Sequence, residues 1–324
     1  MRLIEKNKNI KNKKKRIGVS LRKREARLAY LMIIPMLVII LLIILFPMFW
    51  NVVLSFQPIR LKDLRNFNLL DFSQIEFSNY TIALGKRFSV GLKVTLIYAF
   101  FSTIVSIGIG LWAAMVAREK FLGRKYFRTF ILFPYIAPLV SCAFIWRLIF
   151  DKHIGIFNVF WMMLGNEPIG WLTTQHIPIT FLGIEFSLPL ALIVVIIFEG
   201  WRYFPFAYLF ILSRLQAIPD DLYDAAKVDG ACPSQRFWFI TLPELKIVFG
   251  TIFLIRFIYS FFKFGDIFLL NGGTAGTEVL SIQIYSWLFA RRNVGVAAAI
   301  GVLLALILVS MAIFYSNWLK KQEN

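Results

Sequence analysis

Glu199, Arg202, Arg256, Lys263 and Asp266 stand inside long apolar runs of this chain, and Arg147 stands near the end of another. In hydrocarbon an ionised side chain costs roughly 2.5–3.5 kcal/mol on insertion scales, so each needs a counter-charge, a wet cavity or a polar solute beside it. Glu199 and Arg202, like Lys263 and Asp266, are three residues apart, a spacing that brings opposite charges together on one helix face. Structural pairing and the lining of a solute path both fit these four. Arg147 and Arg256 have no partner at that spacing, which suits a lumenal or subunit-interface position. Trp201, Tyr203 and Tyr259 accompany the charges. A sugar ring can stack on such aromatic faces while its hydroxyls meet charged groups, and plain packing or lipid contact fits them equally.

Other chemistries find little support. The two histidines, His153 and His176, lie in one loop and form no His-Glu-x-x-His zinc spacing, so a membrane-embedded transferase lacks a catalytic cluster even with Asp151 beside His153. Cys142 lies in an apolar run and Cys232 in a polar loop, and no disulfide framework follows. No Gly-x-x-x-x-Gly-Lys-Ser/Thr phosphate cradle occurs in the sequence, so any use of ATP needs another chain.

The elements that position these residues are membrane spans. Of 324 residues 59% are apolar and 17% charged, more grease than a globular core can hide. The formal charge of +18 is concentrated at the start: residues 1–28 carry twelve Lys or Arg against Glu5 and Glu25. A basic arm ending where an apolar run begins suits a cytoplasmic tail beside anionic lipid. No stacking aromatics or reading module accompany it, so nucleic acid is not an expected partner. Spans of about twenty apolar residues fit at 29–56, 90–117, 129–150, 188–213, 244–270 and 294–319. With the N-terminus inside, the inner segments hold more than twice as many Lys and Arg as the outer ones, which predicts that both termini are cytoplasmic. Pro35 and Pro47 predict kinks in the first span, and Pro134 and Pro138 in the third. Without internal duplication, an inverted-repeat secondary transporter is weakened. On hydropathy alone, a secondary transporter or channel for a polar solute remains the alternative.

Residues 215–243, between the fourth and fifth spans, carry more information. Pro219 breaks the incoming helix, Asp220 or Asp221 can cap a new one, Gly230 suits a left-handed stop, and Pro233 can open a further turn. Along the first short helix Leu222, Ala225, Ala226 and Asp229 share one side, where paired alanines permit close approach. So short a helix is not stable alone, and its small-residue face implies a partner that physics by itself does not name; an ordinary connector lying on the membrane surface fits the same residues.

Asp224-Ala225-Ala226, three residues, Gly230, nine residues, Ile240, one residue, then Leu242-Pro243 resembles the "EAA" signature of binding-protein-dependent ABC importer permeases. Asp224 replaces the usual glutamate, and Asp229-Gly230-Ala231 extends the match. Asn79-Tyr80, the stretch 264–273 with its paired glycines, and Gly295-Val296-Ala297-Ala298-Ala299 resemble the carbohydrate branch, the maltose-type and glycerol-phosphate-type permeases. Thr274 stands where a proline commonly follows the two glycines.

The resemblance implies an all-α polytopic protein of the type I ABC importer permease fold, in a bacterial cytoplasmic (inner) membrane. After the tail, a first span and exported loop would occupy 29–89, a transmembrane core 90–319 and a C-terminal tail 320–324. Asp224, Ala225, Ala226, Asp229, Gly230, Ala231, Ile240, Leu242 and Pro243 would form a coupling helix and its root, docked on a separate ATPase dimer that binds ATP and Mg. The chain itself would carry no cofactor. A homologous second permease would complete the pore, and an extracytoplasmic solute-binding protein would deliver a saccharide. Away from their cytoplasmic ends the spans hold Lys93, Arg147, Arg202, Arg256 and Lys263 against Glu199 and Asp266, an excess of cations that would suit an acidic oligosaccharide.

Overall fold

The structure, a computed structural model, describes residues 26–63, 75–181 and 184–323. Most of the basic segment 1–28 therefore lies outside the described residues. The long elements are helices because an uncharged apolar run can satisfy its backbone in lipid only within itself. Helix α1 (Ala26–Ser55) is followed by α2 (Ser78–Ala83) and α3 (Lys86–Arg118). Next come α4 (Arg124–Ile136), α5 (Leu139–Ile149) and α6 (Ile156–Met163). Strands β1 (Ile177–Phe181) and β2 (Ile184–Leu188) precede α7 (Leu190–Ala217) and α8 (Asp220–Val228). The chain continues as α9 (Pro233–Phe261), α10 (Gly265–Asn271), α11 (Leu280–Ala290) and α12 (Val294–Glu323).

All six expected spans have a counterpart, five of them long helices, although the fifth, expected over 244–270, ends at Phe261 and leaves Lys263 in a link and Asp266 in α10. The third differs: α4 and α5 meet at 92°, a break rather than a kink. Pro138 sits at the break as the residue preceding α5, and its ring leaves no N–H for the carbonyl of Pro134 four residues back. In α1 the backbone adopts a wider π-turn over Ile40–Leu45, with the Phe46 N–H reaching Leu41 O just ahead of Pro47. The loop before α7 holds a short antiparallel hairpin, with Ile177 opposite Leu188 and Ile179 opposite Phe186, an addition to the all-helical expectation. The last helix runs on to Glu323, through most of the segment expected as a tail.

The centre of the bundle is the contact of α3 with α7. On α3, Ala99, Ser102, Thr103, Ser106, Gly110, Ala113, Ala114 and Ala117 are buried at helical spacing, a strip of small side chains that lets two backbones approach. A Cβ on Gly110 would lie 2.8 Å from Ala207 Cβ and 2.9 Å from the Tyr208 backbone nitrogen. On the other side, Gly200 of α7 leaves room for Val105.

Two stretches that match the carbohydrate branch meet in space. Asn79, fully buried, donates to the carbonyls of Ser55 (3.1 Å) and Gln57 (2.7 Å) at the end of α1, and the Tyr80 hydroxyl lies 2.7 Å from Ser55 Oγ. Gly295 opens α12 against the same place, since a Cβ there would lie 2.3 Å from both Asn79 Nδ2 and Gln57 O. These residues tie the end of the first span to the start of the last. By contrast, no residue in the long apolar stretch of α1 is fully buried within the chain, which leaves much of its surface to lipid or to a neighbouring subunit.

Gly110→Leu forces α3 off α7 against backbone, so we expect a loss of about 1–3 kcal/mol or more. The check is the thermal unfolding midpoint of the detergent-solubilised protein, which should fall by several degrees, whereas Gly108→Leu, where a Cβ meets open space, should leave it nearly unchanged.

Candidate functional site

Helix α7 is the most deeply buried span, and about halfway along it Glu199, Arg202 and Tyr203 meet groups from three other elements. Arg256 of α9 donates from Nη2 to Glu199 Oε1 at 2.7 Å. Lys263, in the link between α9 and α10, places Nζ 3.5 Å from Asp266 and 3.9 Å from Glu199. Asp266, in the first turn of α10, lies 3.8 Å from Arg202 Nε. Tyr203 offers its ring to all three cations: Lys263 Nζ is 3.5 Å from the ring centroid, and the guanidinium carbons of Arg256 and Arg202 are 4.4 and 5.6 Å from it. Glu199 is wholly buried, and Arg202, Arg256 and Asp266 are nearly so.

The expected pairing within helices is half right. Lys263 and Asp266 do pair three residues apart. Glu199 and Arg202 do not: Glu199 turns to Arg256 of α9 and to Lys263 in the link that follows it, and Arg202 turns to Asp266 of α10 and to the break between α4 and α5. There Arg202 donates to Pro134 O (3.3 Å) and Ala137 O (3.0 Å). The physical reason is the break itself, because the carbonyl freed by Pro138 and the one left at the helix end need donors where water is absent. Arg256, without an in-helix partner, finds its carboxylate across the bundle.

The remaining candidates lie elsewhere. Trp201 packs against Trp146, with ring centroids 5.4 Å apart, between two clusters of the core. Tyr259 is 62% exposed on the outer surface of α9. Arg147, exposed at the end of α5, stands over the Phe144 ring at 5.8 Å and lines a cleft of about 810 Å³ with Lys152, Trp171, Thr173, Asn271 and Thr274. Asp151, also in this cleft, accepts the backbone N–H groups of His153 (2.8 Å) and Ile154 (3.1 Å), which hold its carboxyl below the usual carboxylate range. It shapes a turn.

At the opposite end of α7, Pro219 precedes α8, and Asp220 and Asp221 occupy its first turn instead of capping it. Their charge still lies near the positive helix end. Gly230 takes φ +78°, and the Ala231 N–H returns to Ala226 O at 2.8 Å, closing the helix with a left-handed stop. Pro233 then opens α9, whose N-terminus is closed by the Cys232 N–H to Gln235 Oε1 at 2.8 Å. The second short helix expected here is thus the first turn of the fifth span, joined to it through a π-turn over Phe237–Thr241 that contains Ile240 and runs into Leu242-Pro243.

The α8 side chains divide into two sets. Tyr223 is half-buried, bonded to Thr241 Oγ1 at 2.9 Å and covered by Arg118, whose guanidinium carbon is 4.2 Å from its ring centroid. Arg118 also reaches Asp220 at 3.3 Å. Leu222, Ala225 and Asp229 are exposed, and Ala226 is half-buried. Asp224 pairs with Lys227 at 2.7 Å, which holds its carboxyl below the usual range.

Sequence reasoning missed Asn158. It is fully buried and makes five hydrogen bonds that knit 151–152 to 169–171, including one from Trp171 Nε1 at 3.0 Å. Its signal was a lone amide in the apolar run 156–163.

The family described as "Binding-protein-dependent transport system inner membrane component" matches residues 106–321. The trehalose/maltose transport system permease protein MalF of Thermococcus litoralis is 32% identical over 91% of this chain and 94% of its own length. The inner membrane ABC transporter permease protein YcjO of Escherichia coli is 32% identical over 87% and 91%. Among solved structures, a chain of a bacterial ABC transporter that imports the acidic polysaccharide alginate superposes with a TM-score of 0.76 at 21% identity, covering 92% of this chain and 96% of that one. The helical bundle is accordingly that of an ABC importer permease.

Arg256→Met would leave Glu199 buried with only the more distant Lys263, at an expected cost of about 3–5 kcal/mol. Pairing it with Glu199→Gln should recover a large part of that loss. A double-mutant cycle on thermal stability in detergent measures the coupling, and additive effects would exclude it.

Proposed function

The chain belongs to the family of binding-protein-dependent transport system inner membrane components, and on that premise we propose that it is the membrane-spanning subunit of an ATP-driven saccharide importer. The saccharide is supported by its likeness to a trehalose/maltose permease over nearly the whole of both chains. In this reading a separate ATPase dimer binds ATP and Mg, a second homologous permease completes the pore, and a solute-binding protein outside the membrane delivers the cargo. The charge of the basic segment 1–28 supports a cytoplasmic N-terminus, with α8 on the same side and the cleft beside Arg147 on the other.

The observation that carries the proposal is α8. It is a short helix with a glycine stop, held to its own chain through Tyr223 and Arg118, while Leu222, Ala225 and Asp229 are exposed. A helix of nine residues has little stability of its own, and small side chains along a bare face admit the close approach of another protein. ATP-driven movement of the ATPase would shift α8, and the bundle would alternate between outward and inward openings, each biased by its ligands. The interior charge network would lie between the two openings.

Gly230→Val should act on the stop alone, because a Cβ at Gly230 meets nothing within 4 Å and the whole penalty is the left-handed backbone, about 1–2 kcal/mol. We expect reduced co-purification of the ATPase and several-fold slower ATP-dependent uptake with normal membrane insertion. Unchanged assembly and transport would remove α8 from the coupling role.

A further inference from the structure

The charges inside the bundle offset one another to within one unit, three cations against two anions. Glu199 and Asp266 are engaged by Arg202, Arg256 and Lys263, and Arg202 is further committed to the carbonyls at the break. The excess of cations that suited an acidic cargo is therefore mostly absorbed by structure at this depth. Two cations are placed differently. Arg147 and Lys152 line the cleft at the end of α5, and neither forms an ion pair among the described residues. The other ionisable groups of the cleft are His153 and Asp151, whose Oδ1 is engaged by two backbone N–H groups.

The cleft is also built rather than incidental. One wall is fixed by Asn158, which holds 151–152 against 169–171 and orients Trp171. The facing wall is fixed by Asn271, which donates to Leu172 O (3.3 Å) and Thr274 O (3.1 Å) and accepts from Thr277 (2.9 Å). With both amides committed to the walls, the polar side chains left lining the space are the two cations, Asp151 and His153, and the Thr173 and Thr274 hydroxyls, which donate to Gly170 O and Asn271 O but can still accept, beside aromatic surface. Its volume of about 810 Å³ lies within the range of about 300–1,000 Å³ that small-molecule sites occupy.

We infer that this cleft receives an anionic saccharide, one bearing carboxylates or phosphates, and that Arg147 and Lys152 are the groups that recognise its charge. The inference rests on the saccharide-import reading above and names its substrate class. A guanidinium and an ammonium on one wall, next to hydroxyls and aromatic faces, match a sugar ring carrying an acidic group.

The test uses the assembled importer with its binding protein in proteoliposomes, and three probes: trigalacturonate, maltose 6-phosphate and maltotriose. The wild type should take up one or both anionic probes in preference to the neutral one, and the preferred probe tells carboxylate from phosphate. Arg147→Gln and Lys152→Gln should each raise KM for that probe about tenfold relative to maltotriose, the size of one charge-assisted hydrogen bond. Arg147→Lys should retain much of the preference. Co-purification of the partner subunits verifies that the variants assemble. Equal losses for all three probes with weaker capture of the binding protein would make the cleft a docking face and overturn the inference, as would an undisturbed preference in the double variant. Wild-type uptake of maltotriose alone would overturn it while leaving saccharide import standing. No ATP-driven uptake of any probe would count against the import reading itself.

Discussion

Burying a guanidinium halfway through a membrane bundle is the constraint around which the interior is arranged. Arg202 has only 7% of its surface exposed, so it must find acceptors within the protein. The break between α4 and α5 has the converse problem, because Pro138 leaves carbonyls with no helical donor in a medium without water. Arg202 and the carbonyls of Pro134 and Ala137 solve each other's desolvation. Asp266 lies beside the same guanidinium, and Lys263 links Asp266 to Glu199, itself bonded to Arg256. One compensation thus fixes α7, the broken third span, the end of α9 and α10 relative to one another. The attraction of such pairs is balanced against desolvation, so their value lies more in specifying an arrangement than in net stability.

The end that carries α8 obeys the opposite logic. Around Glu199 the charged side chains are largely buried and each lies within 3.8 Å of an opposite charge, whereas α8 leaves much of its surface bare and is held to the rest of the chain through Tyr223, which packs on the core and bonds to Thr241, and through Arg118. In the proposed reading, an element that docks on another protein has to forgo burial in its own. Its shape is instead imposed locally, by Pro219 before it, two acidic residues in its first turn and a glycine whose φ of +78° stops it.

Much of this could be read from the sequence where the cause is local or one-dimensional. Apolar runs locate the spans because a bilayer demands a length, and Pro219, Gly230 and Pro233 locate the turns because each restricts its own backbone. The stretches around Asn79 and Gly295 could be matched to a family, but only the structure shows their purpose, a contact between the ends of the first and last spans. Charge pairing was legible only in part. Spacing reveals neighbours on one helix, as for Lys263 and Asp266, but Glu199 chose Arg256 from 57 residues away. The right-angle break required knowing that a donor from α7 would be available, which neither Pro134 nor Pro138 discloses. The hairpin at 177–188 escaped because its strands are short and sit beside an apolar helix whose run continues theirs.

The two ends are joined by α9. It begins at Pro233, at the root of the loop, and carries Arg256 near its far end, so about 23 residues at ~1.5 Å each put roughly 35 Å between the proposed docking helix and the charge network. Its first turns are not uniform. Pro243 has no N–H to give, and the backbone over Phe237–Thr241 widens to a π-turn in which the Leu242 N–H reaches Phe237 O. Such a turn is a place where a helix bends. Tyr223 of α8 bonds to Thr241 at that turn, so a displacement of α8 reaches α9 where it is most easily redirected. Beyond it the helix is regular and stiff, and the side chain it presents to the bundle centre is Arg256, partner of the buried Glu199. In the proposed mechanism Ile240, Leu242 and Pro243 are therefore less a surface for the ATPase than the pivot of the lever behind it.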